Sequence, residues 1–455
     1  MLPLGRHTLV ALIAVPLALA GCKPKQPEVD IGAFLDAFSD IGGSMNDIQV
    51  NNPPDFEVVD AGDADAGRED VEDDADIEQD VQDVEQDIPP EACQWQIVQT
   101  IENPGANLLF GQVMRADGAR IAISSLAEGL DGLDGVTLYE SRADGPFEFE
   151  QRLEPSGEAR VQNFGSGISF DDDRLVIGAS IAEVVYVYDD AGAGFAESGV
   201  IEGPEGATDF GVSVAQLDDG IFIGAARDGS DAQNAGALYE VRPDASGFSA
   251  PTRLSAGLAA NQFLGRDLET NGDVLIAGGI NNARVYVPLD SGVLREVVLD
   301  GSPGPNSQFG ASVLATRSAL FVGAPGRGST SDRGGVVFYE PSGDGWSHQG
   351  ALISSSSPAP NQFGNAIAGH DGLVVVGASS INVDNGSDQV FVFAPSDEGD
   401  WEEIAMFDAP ATPDDDNVTS FGAAVAVSGD LVFIGDPWRA TGGVGTGVVF
   451  VAACR

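Results

Sequence analysis

A two-residue marker, Phe-Gly, recurs along this chain at Phe110-Gly111, Phe164-Gly165, Phe210-Gly211, Phe309-Gly310, Phe363-Gly364 and Phe421-Gly422, with an interrupted version at Phe263-Leu264-Gly265. Successive phenylalanines stand 54, 46, 53, 46, 54 and 58 residues apart. Self-similarity at that period signals a solenoid, a propeller or an array, because one unit cannot bury its apolar face without a neighbour. The interior order of the units is also shared. After the marker come a short polar turn ("ADGAR", "LDDG", "SGD") and an apolar run ("RLVIGAS", "GIFIGAA", "ALFVGAP", "LVFIGDP"). A variable loop rich in Gly, Asp, Ser and Asn follows, then a second apolar run such as "GVTLYE" or "GVVFYE", a second polar turn, and a run opening at Phe147, Phe195, Phe248, Trp346 or Trp401. Four short strands joined by tight turns make one antiparallel blade, and continuous apolar runs suit strands covered on both faces. The expected fold class is all-β: a seven-bladed β-propeller of four-stranded antiparallel blades, preceded by a disordered acidic tether.

The pairing of "FG" with "GAP" or its near forms, as in Phe309-Gly310 with Gly323-Ala324-Pro325, resembles the FG-GAP repeat of integrin α subunits and many bacterial surface proteins. The resemblance spans residues 93–455. It weakens at single units, where Gly278-Gly279 and Gly435-Asp436 replace Gly-Ala. Calcium is what the resemblance implies next, through loops of the form Asp-x-Asp-x-Asp-Gly-x-x-Asp whose oxygens converge on one hard cation. That pattern is missing here, so no cofactor is required, with calcium left as the one possible ion. The nearest candidates for a metal are Asn382, Asp384 and Asp388 in "INVDNGSDQ", followed by Asp228 and Asp231. Such residues are also ordinary turn formers, and the turn reading is preferred.

The ends of the repeat region complete each other. "CQWQIVQTI" reads as an outermost strand with no blade before it, and "GVVFVAACR" reads as a third strand with no fourth. Blade seven is thus expected to be built from both ends, closing the ring and leaving no open sheet edge. Aligning these fragments on "GVVFYEPSGDGW" brings Cys454 opposite Ser342 and Cys93 opposite Asp344, on either side of one residue of a hairpin turn. A Cys93–Cys454 disulfide is expected there in place of the covalent turn.

The first residues have a different logic. Arg6 and His7 precede "TLVALIAVPLALA", too short to span a membrane comfortably and suited to a signal-peptide core. It ends in Leu19-Ala20-Gly21-Cys22, which resembles a bacterial lipobox and implies cleavage before Cys22 and lipidation of that residue. With Lys23 rather than Asp following, the likeness to Gram-negative lipoproteins favours the outer membrane, on its periplasmic or cell-surface side. The expected organisation is a signal over 1–21, a lipidated acidic low-complexity tether over 22–92, and the propeller over 93–455. "DAGDADAGREDVEDDADIEQDVQDVEQDIPP" contains too little apolar surface to offset its ordering entropy. A flexible tether of this length has an end-to-end distance of about 45 Å before self-repulsion extends it.

Charge excludes one class of partner. With 21 Lys+Arg against 72 Asp+Glu, and no lysine after Lys25, nucleic acid is not expected to bind. Catalysis finds little material. Beyond His7 there are only His348, on an outermost strand, and His370, in a first-to-second turn, and no Ser, His and Asp set falls together. The working part is expected to be a surface. In four-stranded blades the second-to-third and interblade loops emerge on one face, and binding groups favour such loops over a rigid scaffold. Arg227, Arg327, Arg333, Trp438 and Arg439 are the candidate ligand contacts there, since Arg and Trp are enriched at binding hot spots. The expected function is a monomeric, noncatalytic, membrane-anchored binding or adhesion protein for a protein or glycan. The alternatives are a propeller enzyme acting on polysaccharide, and a surface-layer spacer without a specific ligand.

Overall fold

A computed structural model describes residues 93–455 apart from 106–108, 127–133, 143–144, 157–160, 172, 246, 290–292, 302–303, 305–306, 327–333, 357–361, 380–387, 397–398, 412–418 and 440–445. Among the described residues there is no helix. The strands form seven four-stranded antiparallel sheets, and a two-stranded hairpin stands apart from them. Blade 1 begins with Met114–Asp117, blade 2 with Phe164–Asp171, blade 3 with Phe210–Leu217, blade 4 with Asp267–Thr270, blade 5 with Val313–Ala315, blade 6 with Ala366–His370 and blade 7 with Ala424–Ser428. These first strands neighbour one another around the axis, so each blade runs from the centre outward.

Apolar strands covered on both faces give seven cores, one in each gap between blades. Between blades 2 and 3, for example, Val176, Val185 and Ile201 meet Phe210, Ile223 and Tyr239. Blades 7 and 1 meet in the same manner through Phe433, Val449, Phe110 and Ile123. The six phenylalanines of the uninterrupted markers are all at most 1% exposed. Each full burial stabilises the ring by about 1.5–3 kcal/mol relative to exposure.

The marker glycines explain themselves at the same gaps. All seven adopt φ between +81° and +99°, where a Cβ is strained. The glycine of the "GA" pair, one blade earlier, is pressed against them: a Cβ on Gly435 would collide with the carbonyl of Gly111, and one on Gly224 with the carbonyl of Gly265. Blade-to-blade backbone contact is therefore what the repeated phrase encodes. Blade 1 departs by placing Ser124 where the others have glycine, and Ser124 Oγ accepts the Val113 N–H at 2.9 Å. The interrupted marker in blade 4 is also resolved. Leu264, fully buried, takes the phenylalanine's place before Gly265, while Phe263 occupies the preceding left-handed position at φ 49°, which Leu109, Asn163 and Gln308 occupy elsewhere.

Blade 7 is closed by both ends of the domain. Trp95–Glu102 pairs antiparallel with Val448–Cys454 as its outermost strand. Cys93 and Cys454 form a disulfide across a sequence separation of 361, beside reciprocal backbone bonds between Gln94 and Arg455. The register is one residue tighter than the alignment expected: Trp95 pairs with Cys454, whereas Trp346 pairs with Pro341. A glutamine on an outer strand then clasps the next blade. Gln99 exchanges two hydrogen bonds with the Phe147 backbone at 2.8 and 2.9 Å, and Gln151 does the same with Phe195.

One strand expectation needs correcting. Phe248 does not open the outer strand of blade 3, which is only Thr252–Arg253. It sits in the separate hairpin of Pro243–Asp244 with Gly247–Phe248, because the longer insertion after Val241 folds on itself first. From there its ring lies against Gly199 of blade 2.

Candidate functional site

The two ends of the ring differ in kind. At one end the first-to-second turns are minimal: Asp117 pairs with Arg120, Leu217 with Gly220 and Ser428 with Leu431. At the other end emerge the second-to-third and interblade connections, such as the one between Ala225 and Ala237. The marker glycines also lie at this long-loop end, since Gly111, Gly265, Gly310, Gly364 and Gly422 donate their N–H to a carbonyl at the end of the second strand, as Gly265 does to Gly278 at 3.0 Å.

The expected contact residues fare differently on this face. Arg227 is exposed on the second-to-third loop of blade 3, with Nε 3.3 Å from Asp209 Oδ2 on the preceding interblade loop. Burial moves the Asp209 carboxyl above the usual carboxylate range, against the pull of Arg227. Trp438 is 42% exposed. Arg439 is not a surface group: it is 6% exposed, and the expectation that it meets a ligand is corrected. Its guanidinium donates to Asp436 at 3.1 Å and to the carbonyls of Pro410 and Ala411 at 2.9 and 2.6 Å, and lies 5.2 Å from the Phe450 ring centroid. The physical reason is Asp436, fully buried where four of the other blades carry alanine, which demands a cation and receives the Ser420 N–H as well. Burial still outweighs these partners and raises the Asp436 pKa.

Asp388, a metal candidate by sequence, is 5% exposed, and its Oδ2 accepts the Thr419 hydroxyl at 3.0 Å, tying the third strand of blade 6 to the loop that enters blade 7. Arg327, Arg333, Asn382, Asp384 and the lipidation candidate Cys22 lie outside the described residues. Among the described residues no group of three or more His, Cys, Asp or Glu could hold a metal ion. The two histidines sit far from each other in the blade plan. His348 stacks edge-on against Tyr339 on the outer strand of blade 5, at 5.8 Å, and His370 at the short-turn end holds the Gly429 carbonyl through Nε2 at 3.1 Å.

Sequence reading missed the axis. The first strands of all seven blades line a cavity of about 200 Å³ in the central channel, and its contacts include Arg115, Arg266 and Asp267. Arg115 of blade 1 reaches across the ring to blade 4, placing Nη2 3.4 Å from Glu269 Oε2 and 4.0 Å from Asp267 Oδ1. Asp267 is anchored in turn, its Oδ2 accepting the Val313 N–H of blade 5 at 2.8 Å. Enclosure in the channel raises both carboxyl pKa values, with Arg115 acting in the opposite direction. At Glu269 the neighbouring Asp267 charge adds to the rise. The signal that could have found this strut is the charge itself: Arg115, Asp267 and Glu269 stand at innermost-strand positions where the other blades hold Ser, Ala, Leu, Val or Gly.

No family model matches the chain, and neither does any curated protein. Solved structures do. The Cps50 (Swd1) β-propeller domain of Myceliophteria thermophila superposes with a TM-score of 0.51 at 12% identity, covering 78% of this chain and 98% of that one. The likeness is one of fold: a β-propeller. U3-55K, at TM-score 0.47 and 12% identity over 78% of this chain and 98% of its own, and an ancestral GH74 enzyme, at 0.49 and 13% over 77% and 49%, are also matched.

Proposed function

We propose that this chain is a lipid-anchored, noncatalytic binding protein in which an acidic tether carries an FG-GAP-type propeller, and that the long-loop face takes a protein or glycan. The observation that carries the reading is the asymmetry of the two ends. Short turns at one end add nothing to the scaffold, while at the other end long connections bring exposed Arg227 and Trp438 above a ring closed by its own termini. A rigid platform under variable loops is how many binding surfaces are built, because the loops lose little entropy that the scaffold has not already removed. "LAGC" at Cys22 and the acid-rich run to residue 92 support an anchored platform held away from a membrane surface, on the periplasmic or outer side of an outer membrane.

The test is binding of the full chain to broad protein and glycan arrays, repeated with Arg227→Ala and Trp438→Ala. Reproducible binders weakened by these substitutions are expected. Turnover of a polysaccharide on the glycan array would replace this reading with an enzyme, and no binder on either array would favour a spacer.

A further inference from the structure

Resting on the glycan form of that reading, a narrower inference concerns the cavity on the axis. Most described arginines near the long-loop end are held by acids: Arg227 by Asp209, Arg439 by Asp436, Arg115 by Glu269. Arg266 differs. It is exposed, lines the axial cavity immediately after the blade 4 marker, and its guanidinium makes no hydrogen bond or ion pair with the described residues. Two blades further round, Asn365 also lines the cavity; its Oδ1 accepts the Ser379 N–H at 3.1 Å and its amide NH₂ makes no hydrogen bond. Asp267 adds an acceptor, and the half-buried Val113 and Val212 supply apolar wall. The Arg115–Glu269 strut lies further along the same strands.

The geometry points to a binding site for the terminal uronate residue of an acidic glycan. A carboxylate accepts hydrogen bonds from both an unpaired guanidinium and a free amide NH₂, and an arginine fork donates to it in two places. A carboxylate alone would leave Asp267 facing it unfavourably; a ligand with hydroxyls as well gives that acid donors to accept. The cavity of about 200 Å³ matches the liquid volume of about seven waters at about 30 Å³ each. That is room for one sugar ring entering end-on, with its C–H groups against Val113 and Val212, and not for a run of chain. The acid-rich outer surface does not forbid an anion here, since at physiological salt the Debye length is about 8 Å and the nearest charges decide. Around the cavity these are two arginines and two acids whose charged forms are disfavoured by enclosure.

The experiment titrates the full chain with methyl galacturonoside, methyl galactoside and acetate, by calorimetry or ligand-observed NMR. The uronoside is expected to bind about tenfold or more tightly than either control, since it combines the charge-assisted contact with the hydroxyl contacts. Arg266→Gln, an exposed change, is expected to remove that preference without moving the melting temperature. Equal binding of uronoside and galactoside, an unchanged preference in Arg266→Gln, or no saturable uronoside binding would overturn the assignment. If the arrays still return a ligand for the long-loop face, only the axial site has failed; if they too are blank, the wider reading fails with it.

Discussion

Replacing Gly224 by alanine isolates the contact that the repeated phrase encodes. Gly224 ends the second strand of blade 3, and its backbone conformation is open to any residue, so the substitution brings only a methyl group into the gap. That methyl would stand 2.8 Å from the carbonyl carbon of Gly265 in blade 4 and would collide with its oxygen and with Ser213 Oγ. Those two atoms are themselves bonded, Ser213 Oγ donating to Gly265 O at 2.7 Å. Overpacking against backbone costs about 1–3 kcal/mol. Loss of the buried hydrogen bond adds about 0.5–1.5 kcal/mol. The expected destabilisation is therefore about 1.5–4.5 kcal/mol. Gly229, in the loop of the same blade, is the control: nothing lies within 4 Å of its Cβ position and its φ is unremarkable. Alanine there should be neutral or stabilise by about 0.4–1 kcal/mol through the unfolded chain. Urea unfolding of the full chain, followed by tryptophan fluorescence, measures both. A Gly224→Ala midpoint equal to that of the parent, or a Gly229→Ala loss as large as that of Gly224→Ala, would refute the argument.

Other outcomes follow from the same geometry. Arg439→Ala should cost about 3–5 kcal/mol, because it leaves the buried Asp436 carboxylate without its cation. Burial already holds the Asp436 pKa above its unfolded value, and losing Arg439 raises it further; such a group stabilises the fold only below its unfolded pKa, near 3.9, and that contribution is lost as pH rises through the folded value. The gap between variant and parent in urea midpoint should then be smallest in acid and widen as pH rises through the parent's folded value, and a constant gap would contradict it. Cys22→Ala should move the protein out of the membrane fraction; unchanged retention with no lipid label on the parent would remove the anchor from the account. Converting both Cys93 and Cys454 to serine should lower the melting temperature without unfolding the ring, because the pairing of Trp95–Glu102 with Val448–Cys454 remains. For the closed loop of 361 residues the chain-entropy model sets an upper figure of about 6 kcal/mol. A variant that melts with the parent would show the bond contributes nothing.

Most of the blade plan is written locally, which is why it can be read without coordinates. The marker Phe, the Gly at positive φ, the two-residue turns and the "GA" pair all lie within one unit, and repetition multiplies the signal sevenfold. What escaped depends on distances the sequence does not display. Arg115 meets Glu269 across the ring, three blades away, so no local spacing announces the pair. Arg439 has the residue type of a hot spot but is drawn inward by Asp436; the substitution of Asp for Ala beside Gly435 was the available clue, since a buried carboxylate needs a partner. Phe263 has the residue type of the marker, but its position is one residue early, and burial selects Leu264 for the core. The insertion after Val241 hid the true outer strand of blade 3, because a hairpin of its own satisfies the same alternation.

The platform, its long-loop face and the axial cavity all depend on one claim: that the two ends of residues 93–455 meet in a single blade. Nonreducing peptide mapping of the full chain tests it directly. A disulfide-linked pair of peptides containing Cys93 and Cys454 is predicted, collapsing to two separate peptides on reduction. Both thiols recovered free from protein kept under oxidising conditions would contradict the closure.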